Sequence, residues 1–185
     1  MNYLLLVNKE NKLDSGYIPH NMCVVENRKK DKPNQLLLLE KVTYEYFKKM
    51  ITTAKVEANF DIICDSAYRS IDYQKYLYEE QIKSGKDPAY LAVPGCSEHH
   101  TGLCVDVAAY QNNEYHDEPE FLEKEYEWLY NNSYRFGFIL RYPYGKEDIT
   151  GYPYEPWHYR FVGNPHAEII MKNKITLEEY LKEWL

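Results

Sequence analysis

"PGCSEHHTGLCVDVAAY", residues 94–110, joins a cluster of chemically active side chains to a stretch with the pattern of a β-strand. Along its second half, successive side chains point to opposite faces of the predicted strand. One face holds Leu103, Val105 and Val107, and the other holds Cys104, Asp106 and Ala108. The apolar first face predicts a core strand. The carboxylate of Asp106 is then buried beside small residues and needs a partner of opposite charge.

Two histidines supply candidate partners for that carboxylate. His99 lies seven residues before Asp106, and Gly102 between them allows the chain to turn. In "YEPWHYRF", residues 154–161, Glu155 precedes His158 by three positions, and the intervening proline favours an extended or turn start over a helix. Two histidines and one aspartate make a three-ligand zinc site with a fourth position open to water. Glu155 would then be the general base for that water.

A simpler interpretation of the same residues is open at this point. A buried aspartate beside a histidine is often a structural hydrogen-bonded pair, and a Glu-x-x-His spacing alone is a weak signal. His100 is an alternative to His99 as ligand, although we expect its side chain to point away from the site.

Composition restricts the classes of protein. With 185 residues, of which 44% are hydrophobic, the chain fits a single domain spanning residues 1–185. The net charge of -7 without a basic stripe argues against a nucleic-acid partner, and an acidic surface does not attract anionic membranes. No segment approaches the roughly 20 apolar residues that span a bilayer. Oligomeric state stays undetermined.

The expected location follows from the N-terminal segment and the cysteines. The apolar run from Tyr3 to Val7 is too short for a signal-peptide core and is better interpreted as a first strand. None of the four cysteines forms a Cys-x-x-Cys pair, so a cysteine-based zinc knuckle has no support, and in a reducing compartment we expect all four to be free thiols. With Met1 as the native start, we expect a cytoplasmic protein.

Periodicity predicts the remaining elements. Residues 8–35 resemble an extended loop region, and residues 36–58 place Leu39, Val42, Phe47, Met50 and Ile51 at roughly helical spacing. Further helices are predicted over residues 70–86, 118–137 and 176–185, and further strands over residues 60–68, 101–110, 138–142 and 157–163. Short connections between several strands favour an α+β fold, with a central, mainly antiparallel sheet flanked by helices.

The motifs resemble a known family. The pattern Ser97-x-His99-x-x-Gly102-x-Cys104-x-Asp106, followed by Glu155-x-Trp157-His158, is similar to the signature of the LAS group of zinc peptidases. The segments "GCSEHHTGLCVDV", "FGFILRYP" and "ITGYPYEPWHYRFVGNPH" look especially like the VanXY-type and VanY-type D-Ala-D-Ala dipeptidases and carboxypeptidases. The similarity covers nearly the whole chain and is strongest from Arg69 onward.

The resemblance implies roles for individual residues. His99, Asp106 and His158 match the zinc ligands, Glu155 matches the catalytic base, and Arg69 in "AYRS" matches an arginine that polarises the scissile carbonyl. Further positions match residues that line the substrate pocket: Gln74, Ser97, Tyr142 and Trp157. Ser70 is a further candidate for binding the termini of a small peptide, or is only a helix cap.

One position departs from the family pattern. The family usually has alanine where this chain has Cys104, on the same strand face as Asp106. A thiolate there would compete for metal, but a free cysteine often behaves as a small buried hydrophobic residue. We expect the packing role.

The implied activity is zinc-dependent hydrolysis of D-Ala-D-Ala, or removal of the terminal D-Ala from peptidoglycan pentapeptide precursors. Its consequence would be glycopeptide (vancomycin) resistance. Two alternatives remain from the sequence: an L,D-carboxypeptidase that trims tetrapeptides with the same metal machinery, and a zinc-bearing binding domain that has lost catalysis.

Overall fold

A computed structural model of the protein describes residues 2–85 and 90–184. Within these residues, seven β-strands form: β1 (Met22–Val25), β2 (Leu37–Glu40), β3 (Asp61–Ser66), β4 (Cys104–Gln111), β5 (Glu114–His116), β6 (Phe138–Leu140) and β7 (His158–Phe161). The same residues form six α-helices: α1 (Lys41–Ala58), α2 (Ile71–Lys83), α3 (Glu123–Asn132), α4 (Glu147–Thr150), α5 (His166–Asn173) and α6 (Leu177–Glu183).

The main sheet is antiparallel and is built around β4. Its strand order is β3-β4-β7-β6, and β5 pairs with the far end of β4. In the β4–β7 pair, Asp106 lies directly opposite His158. The sequence prediction of an α+β fold with a mainly antiparallel sheet and flanking helices is therefore confirmed. This register already brings two of the expected metal ligands side by side.

The core lies between this sheet and α1. The apolar face of β4 contributes Val105 and Val107, and α1 buries Phe47 and Met50 against them. The helix begins where the Glu40 side chain accepts a hydrogen bond from the amide of Thr43, which satisfies a free N–H of the first turn. The predicted alternation of β4 is thus confirmed: its apolar face packs in the core, and the opposite face is free for polar chemistry.

Three predictions about the N-terminal third are wrong. The run Tyr3–Val7 forms no strand; instead, the backbone carbonyls of Tyr3 and Leu5 accept hydrogen bonds from Nη2 of Arg160. Leu39 belongs to β2 rather than to the first helix, since the leucine run alternates between buried and more exposed positions, as strands do. Strand β1 also interrupts the predicted loop region of residues 8–35 and pairs with β2.

The helices differ from the predictions in detail. Ser70 caps α2, which is one of the two roles the sequence left open for it, and Thr176 with Glu179 forms a capping box on α6. Helix α2 leaves large side chains in solvent, since Tyr73 and Ile82 are more than half exposed. The helix predicted over residues 118–137 is divided into α3 and two flanking 3-10 turns, at residues 119–121 and 133–136.

In the part of the chain that the structure describes, none of the helices combines the length and the apolar character needed to cross a bilayer.

Candidate active site

The site forms where a 3-10 turn, Glu98–Thr101, meets the polar face of β4 and the start of β7. The turn ends at Gly102, whose φ of 69° lies in the left-handed region. A Cβ at Gly102 would lie 2.7 Å from Cε of Met22 and 3.2 Å from the backbone nitrogen of Glu40. Glycine therefore lets the chain reverse tightly enough to place His99 over β4.

The three predicted metal ligands converge. Nε2 of His99 lies 3.1 Å from Oδ2 of Asp106, and Nδ1 of His158 lies 2.9 Å from Oδ1 of the same carboxylate. Both imidazoles are buried, and their ring centroids are 5.1 Å apart. One carboxylate and two ring nitrogens thus face a common centre, which is the donor set of a catalytic zinc site.

The orientation of His99 is fixed by a backbone carbonyl. Nδ1 of His99 lies 2.5 Å from the carbonyl oxygen of Ala67. Because a carbonyl only accepts hydrogen bonds, Nδ1 carries a proton, and Nε2 is the ring nitrogen that faces the centre and is available to a metal. Nε2 makes no hydrogen bond to any described residue. A buried ring nitrogen left without a hydrogen bond beside a carboxylate fits a metal ligand.

His100 faces away from this centre, as predicted. Its Nδ1 lies 2.8 Å from the carbonyl oxygen of Arg69, and its Nε2 accepts a hydrogen bond from the amide of Gly95. Both ring nitrogens are therefore engaged with backbone groups, and His100 serves the loop rather than the metal centre.

The electrostatics of the centre favour positive charge. Burial and the Arg69 guanidinium lower the pKa of His99, but the Asp106 carboxylate and Cys104 together outweigh them and raise it to about 9. Burial opposes ionisation of Asp106, but His99 and His158 hold the pKa of that carboxyl well below its usual range. A divalent cation supplies the positive charge that this environment stabilises.

Glu155 has the position and the ionisation of a general base. Its carboxylate is buried, and Oε2 lies 3.8 Å from Nδ1 of His158. Burial raises the pKa of Glu155 to about 7, and the neighbouring Asp106 carboxylate adds to the rise, while His158 opposes it. A base whose pKa lies near neutral pH can both take and return a proton.

Arg69 lines the same cavity, which has a volume of about 140 Å³. Its buried Nε has no hydrogen-bond partner among the described residues. Since an unpaired buried donor is costly, an oxygen of a bound substrate would satisfy it. A cavity of this size suits the small end of a peptide.

The predicted substrate-binding residues divide into two groups. Ser97, Tyr142 and Trp157 line the cavity. Gln74 is fully buried behind it, and its amide donates to the carbonyl of Ala92, which does line the cavity. The Ser70 hydroxyl accepts a hydrogen bond from the amide of Tyr73, and Ser70 lines a neighbouring groove. Of the two roles considered for Ser70, the structure therefore has the helix cap.

Sequence reasoning missed several members of the site. Tyr90, Ala92 and Tyr152 also line the cavity, and the Tyr90 ring lies 6.1 Å from that of Trp157. Tyr152 lies in a quoted motif, but nothing in the local sequence marks residues 90–92 as part of the site. Residues 90–92 reach the cavity only through the tertiary fold, which local sequence patterns do not describe.

Cys104 lies beside the two histidines of the centre. Its Sγ and a ring nitrogen of each of His99 and His158 all lie within 4.8 Å of one another. Burial raises the pKa of the thiol, but the two histidines lower it to about 7. The expected packing role of Cys104 therefore stays a prediction, to be tested by its effect on the metal.

Two histidines and an aspartate around one centre, with a free carboxylate and an arginine beside it, define a metallopeptidase, an enzyme of the hydrolase class. Comparison with known proteins agrees. The profile of the VanY family, D-alanyl-D-alanine carboxypeptidase, matches residues 36–164. The chain belongs to this family.

Curated relatives resemble the chain over nearly its whole length. The putative carboxypeptidase YodJ of Bacillus subtilis is 37% identical over 187 residues, which cover 98% of this chain and 68% of that protein. The bifunctional D-Ala-D-Ala dipeptidase and carboxypeptidase VanXYC of Enterococcus gallinarum is 32% identical, with 97% of this chain and 94% of that protein covered.

Solved structures share the fold. The LD-carboxypeptidase LdcB superposes with a TM-score of 0.85 at 35% identity, covering 98% of this chain and 86% of LdcB. A vancomycin-resistance D,D-pentapeptidase VanY from a VanB-type cassette, in complex with Zn(II), superposes with a TM-score of 0.79 at 31% identity. The match covers 98% of this chain and 99% of that VanY chain. The shared fold extends to proteins of both stereochemical preferences.

Proposed function

We propose that the protein is a zinc-dependent D,D-peptidase that hydrolyses D-Ala-D-Ala, removes the terminal D-Ala from peptidoglycan pentapeptide precursors, or does both. The observation that carries the proposal is the convergence of His99, Asp106 and His158 on one centre, with Glu155 beside it. The membership in the VanY family and the Zn(II) held by a related VanY support the metal and the reaction.

In the proposed mechanism, His99, Asp106 and His158 would hold the zinc ion. When bound, zinc supplies a Lewis acid and lowers the pKa of a water molecule. Glu155 takes the proton from the attacking water and returns it to the leaving amine. The Arg69 guanidinium donates toward the carbonyl oxygen as negative charge develops there.

The remaining cavity residues are proposed to bind the small peptide. The Ser97 hydroxyl, the Tyr142 ring and the Trp157 ring line the walls. Gln74 would act indirectly, because its amide holds the carbonyl of Ala92. Ser70 caps α2 and lines a neighbouring groove, so the capping role is the one that we propose for it in place of a contact with the termini of the peptide.

A second candidate function is L,D-carboxypeptidase activity on tetrapeptide precursors, which the likeness to LdcB favours. The metal centre would be the same, and only the residues that read the penultimate stereocentre would differ. A binding domain without catalysis is less well supported, since both Glu155 and Arg69 are present at the centre.

A panel of three substrates separates these functions. The protein is incubated with D-Ala-D-Ala, with a pentapeptide and with a tetrapeptide precursor, each with a chelator and after zinc is restored. Release of D-Ala from the dipeptide or the pentapeptide, lost with chelator and regained with zinc, supports the D,D-peptidase. Release from the tetrapeptide alone supports the L,D-carboxypeptidase, and no release by the zinc-loaded protein supports the binding domain.

We further propose that the whole chain, residues 1–185, works as one peptidase domain in the cytoplasm, on soluble precursors. The four cysteines, all unpaired in the structure, support a reducing compartment. Removal of D-Ala-D-Ala ends from precursors would lower susceptibility to vancomycin. Fractionation of expressing cells and their vancomycin susceptibility test these two points.

A further inference from the structure

The buried carboxylate of Glu98 lies directly behind the metal centre. It precedes His99 on the 3-10 turn, and its side chain is fully buried. Oε1 accepts hydrogen bonds from Nε of Arg141 at 2.8 Å and from Nη1 of Arg160 at 2.6 Å. One oxygen of Glu98 therefore holds two buried guanidinium groups.

The other oxygen faces a metal ligand. Oε2 of Glu98 lies 3.5 Å from Nε2 of His158, the ring nitrogen opposite the one that faces Asp106. Neither Oε2 nor Nε2 has a hydrogen-bond partner among the residues that the structure describes. The separation is longer than an ordinary N–H···O hydrogen bond, and a small shift of the His158 ring toward the carboxylate would close it.

We propose that Glu98 is a positioning residue for the zinc site, acting through His158; this inference rests on the proposed function. Its Oε2 accepts the proton on Nε2 of His158, so that the lone pair of Nδ1 is directed at the metal. Carboxylates that orient a ligating histidine from behind in this way fix its tautomer and its ring direction.

The ion pairs with Arg141 and Arg160 hold the Glu98 carboxylate in place beside His158. Arg141 is held in turn by a two-fold contact with Glu178, at 2.9 and 2.6 Å. Arg160 donates to backbone carbonyls, among them those of Tyr3 and Leu5. Glu98 is thus fixed through Oε1 from two directions, and only Oε2 is left for His158.

The substitution Glu98→Gln tests the proposal sharply. Glutamine keeps the shape, and its amide oxygen stays with the two arginines, because its NH2 group would clash with their donors. The NH2 group is then turned toward Nε2 of His158, where two donors would meet. His158 adopts the other tautomer to accept from it, which places a proton on Nδ1, where the metal binds.

The matched control is Glu178→Gln. It removes one charge from the same arginine cluster, at the end that contacts Arg141 and not His158. The measurement is the zinc dissociation constant by competition with a chromophoric chelator, with the melting temperature of each variant recorded alongside. Zinc binding by Glu98→Gln should weaken about 10- to 100-fold, the usual effect of losing such a partner.

The outcomes separate positioning from a structural role. Weaker zinc binding in Glu98→Gln, with the affinity of Glu178→Gln equal to that of the wild type, supports the proposal. Equal affinity in Glu98→Gln and the wild type overturns it, and so does an equal loss in both variants, because general loosening then explains the effect. A wild type that binds no zinc would instead overturn the proposed function.

A second measurement needs no substitution, in case Glu98→Gln fails to fold. In the zinc-loaded wild type, the 15N NMR signals of the His158 ring should show a protonated Nε2 and a metal-bound Nδ1. A ring with Nε2 on the metal would overturn the proposal, whatever the stability of the variants.

Discussion

The substitution Glu155→Gln separates metal binding from catalysis. Glutamine keeps the size and the burial of the side chain but cannot accept a proton from water. Oε2 of Glu155 lies 3.8 Å from Nδ1 of His158, and Glu155 is not among the three residues that converge on the centre. We therefore expect the variant to bind one zinc ion per chain, as the wild type does.

The expected loss of rate is large. A positioned general base contributes about 10²- to 10⁴-fold to the rate, or roughly 2.7 to 5.4 kcal/mol of activation free energy at 1.36 kcal/mol per factor of ten.

The pH dependence of the rate tests the same assignment. Burial raises the pKa of Glu155 to about 7, so the charged base is present above that pH and is lost as the pH falls through it. Zinc, as a nearby cation, would move this limb to lower pH.

The assay measures kcat and kcat/KM for D-Ala-D-Ala between pH 5 and 9, with zinc content determined on the same samples. The wild type should lose activity on the acid side with a slope of one proton, whereas Glu155→Gln should have little activity and no such limb. A Glu155→Gln protein with a normal rate and an intact acid limb would refute Glu155 as the base.

Three further variants test the other assignments. Arg69→Ala should lower kcat by about two to three powers of ten while zinc content stays unchanged, because a donor to the developing oxyanion is lost; equal kcat would refute that role. His158→Ala should lose both zinc, by metal analysis, and activity, and retained zinc would remove His158 from the ligand set. Cys104→Ala should keep one zinc per chain, and loss of zinc in that variant would show that the thiol ligates the metal.

The metal centre was largely predictable from the sequence, because its signals are local. Alternation along residues 103–108 places Asp106 opposite the apolar face, and the structure has that arrangement. Pro156 keeps the Glu155 segment out of a helix, so His158 starts a strand. The register between β4 and β7, which places Asp106 opposite His158, cannot be predicted from a local pattern.

The errors arise where a pattern needs a distant partner to be interpreted. Tyr3–Val7 has the composition of a strand, but Arg160 rather than a neighbouring strand takes its carbonyls. The proposed role of Glu98 depends on Arg141 and Arg160, which lie 43 and 62 residues away along the chain. Such long-range ion pairs leave no periodicity in the sequence.

Asp106 and His158 lie side by side on neighbouring strands, so metal binding depends on the correct pairing of β4 with β7. Shifting β4 by a single position against β7 would present Val105 or Val107 in place of the carboxylate, since adjacent residues face opposite ways. A molecule that mispaired these strands would have no means of holding its cation. The amount of zinc bound in a refolding mixture would therefore measure the fraction of molecules in which β4 and β7 have paired in the correct register.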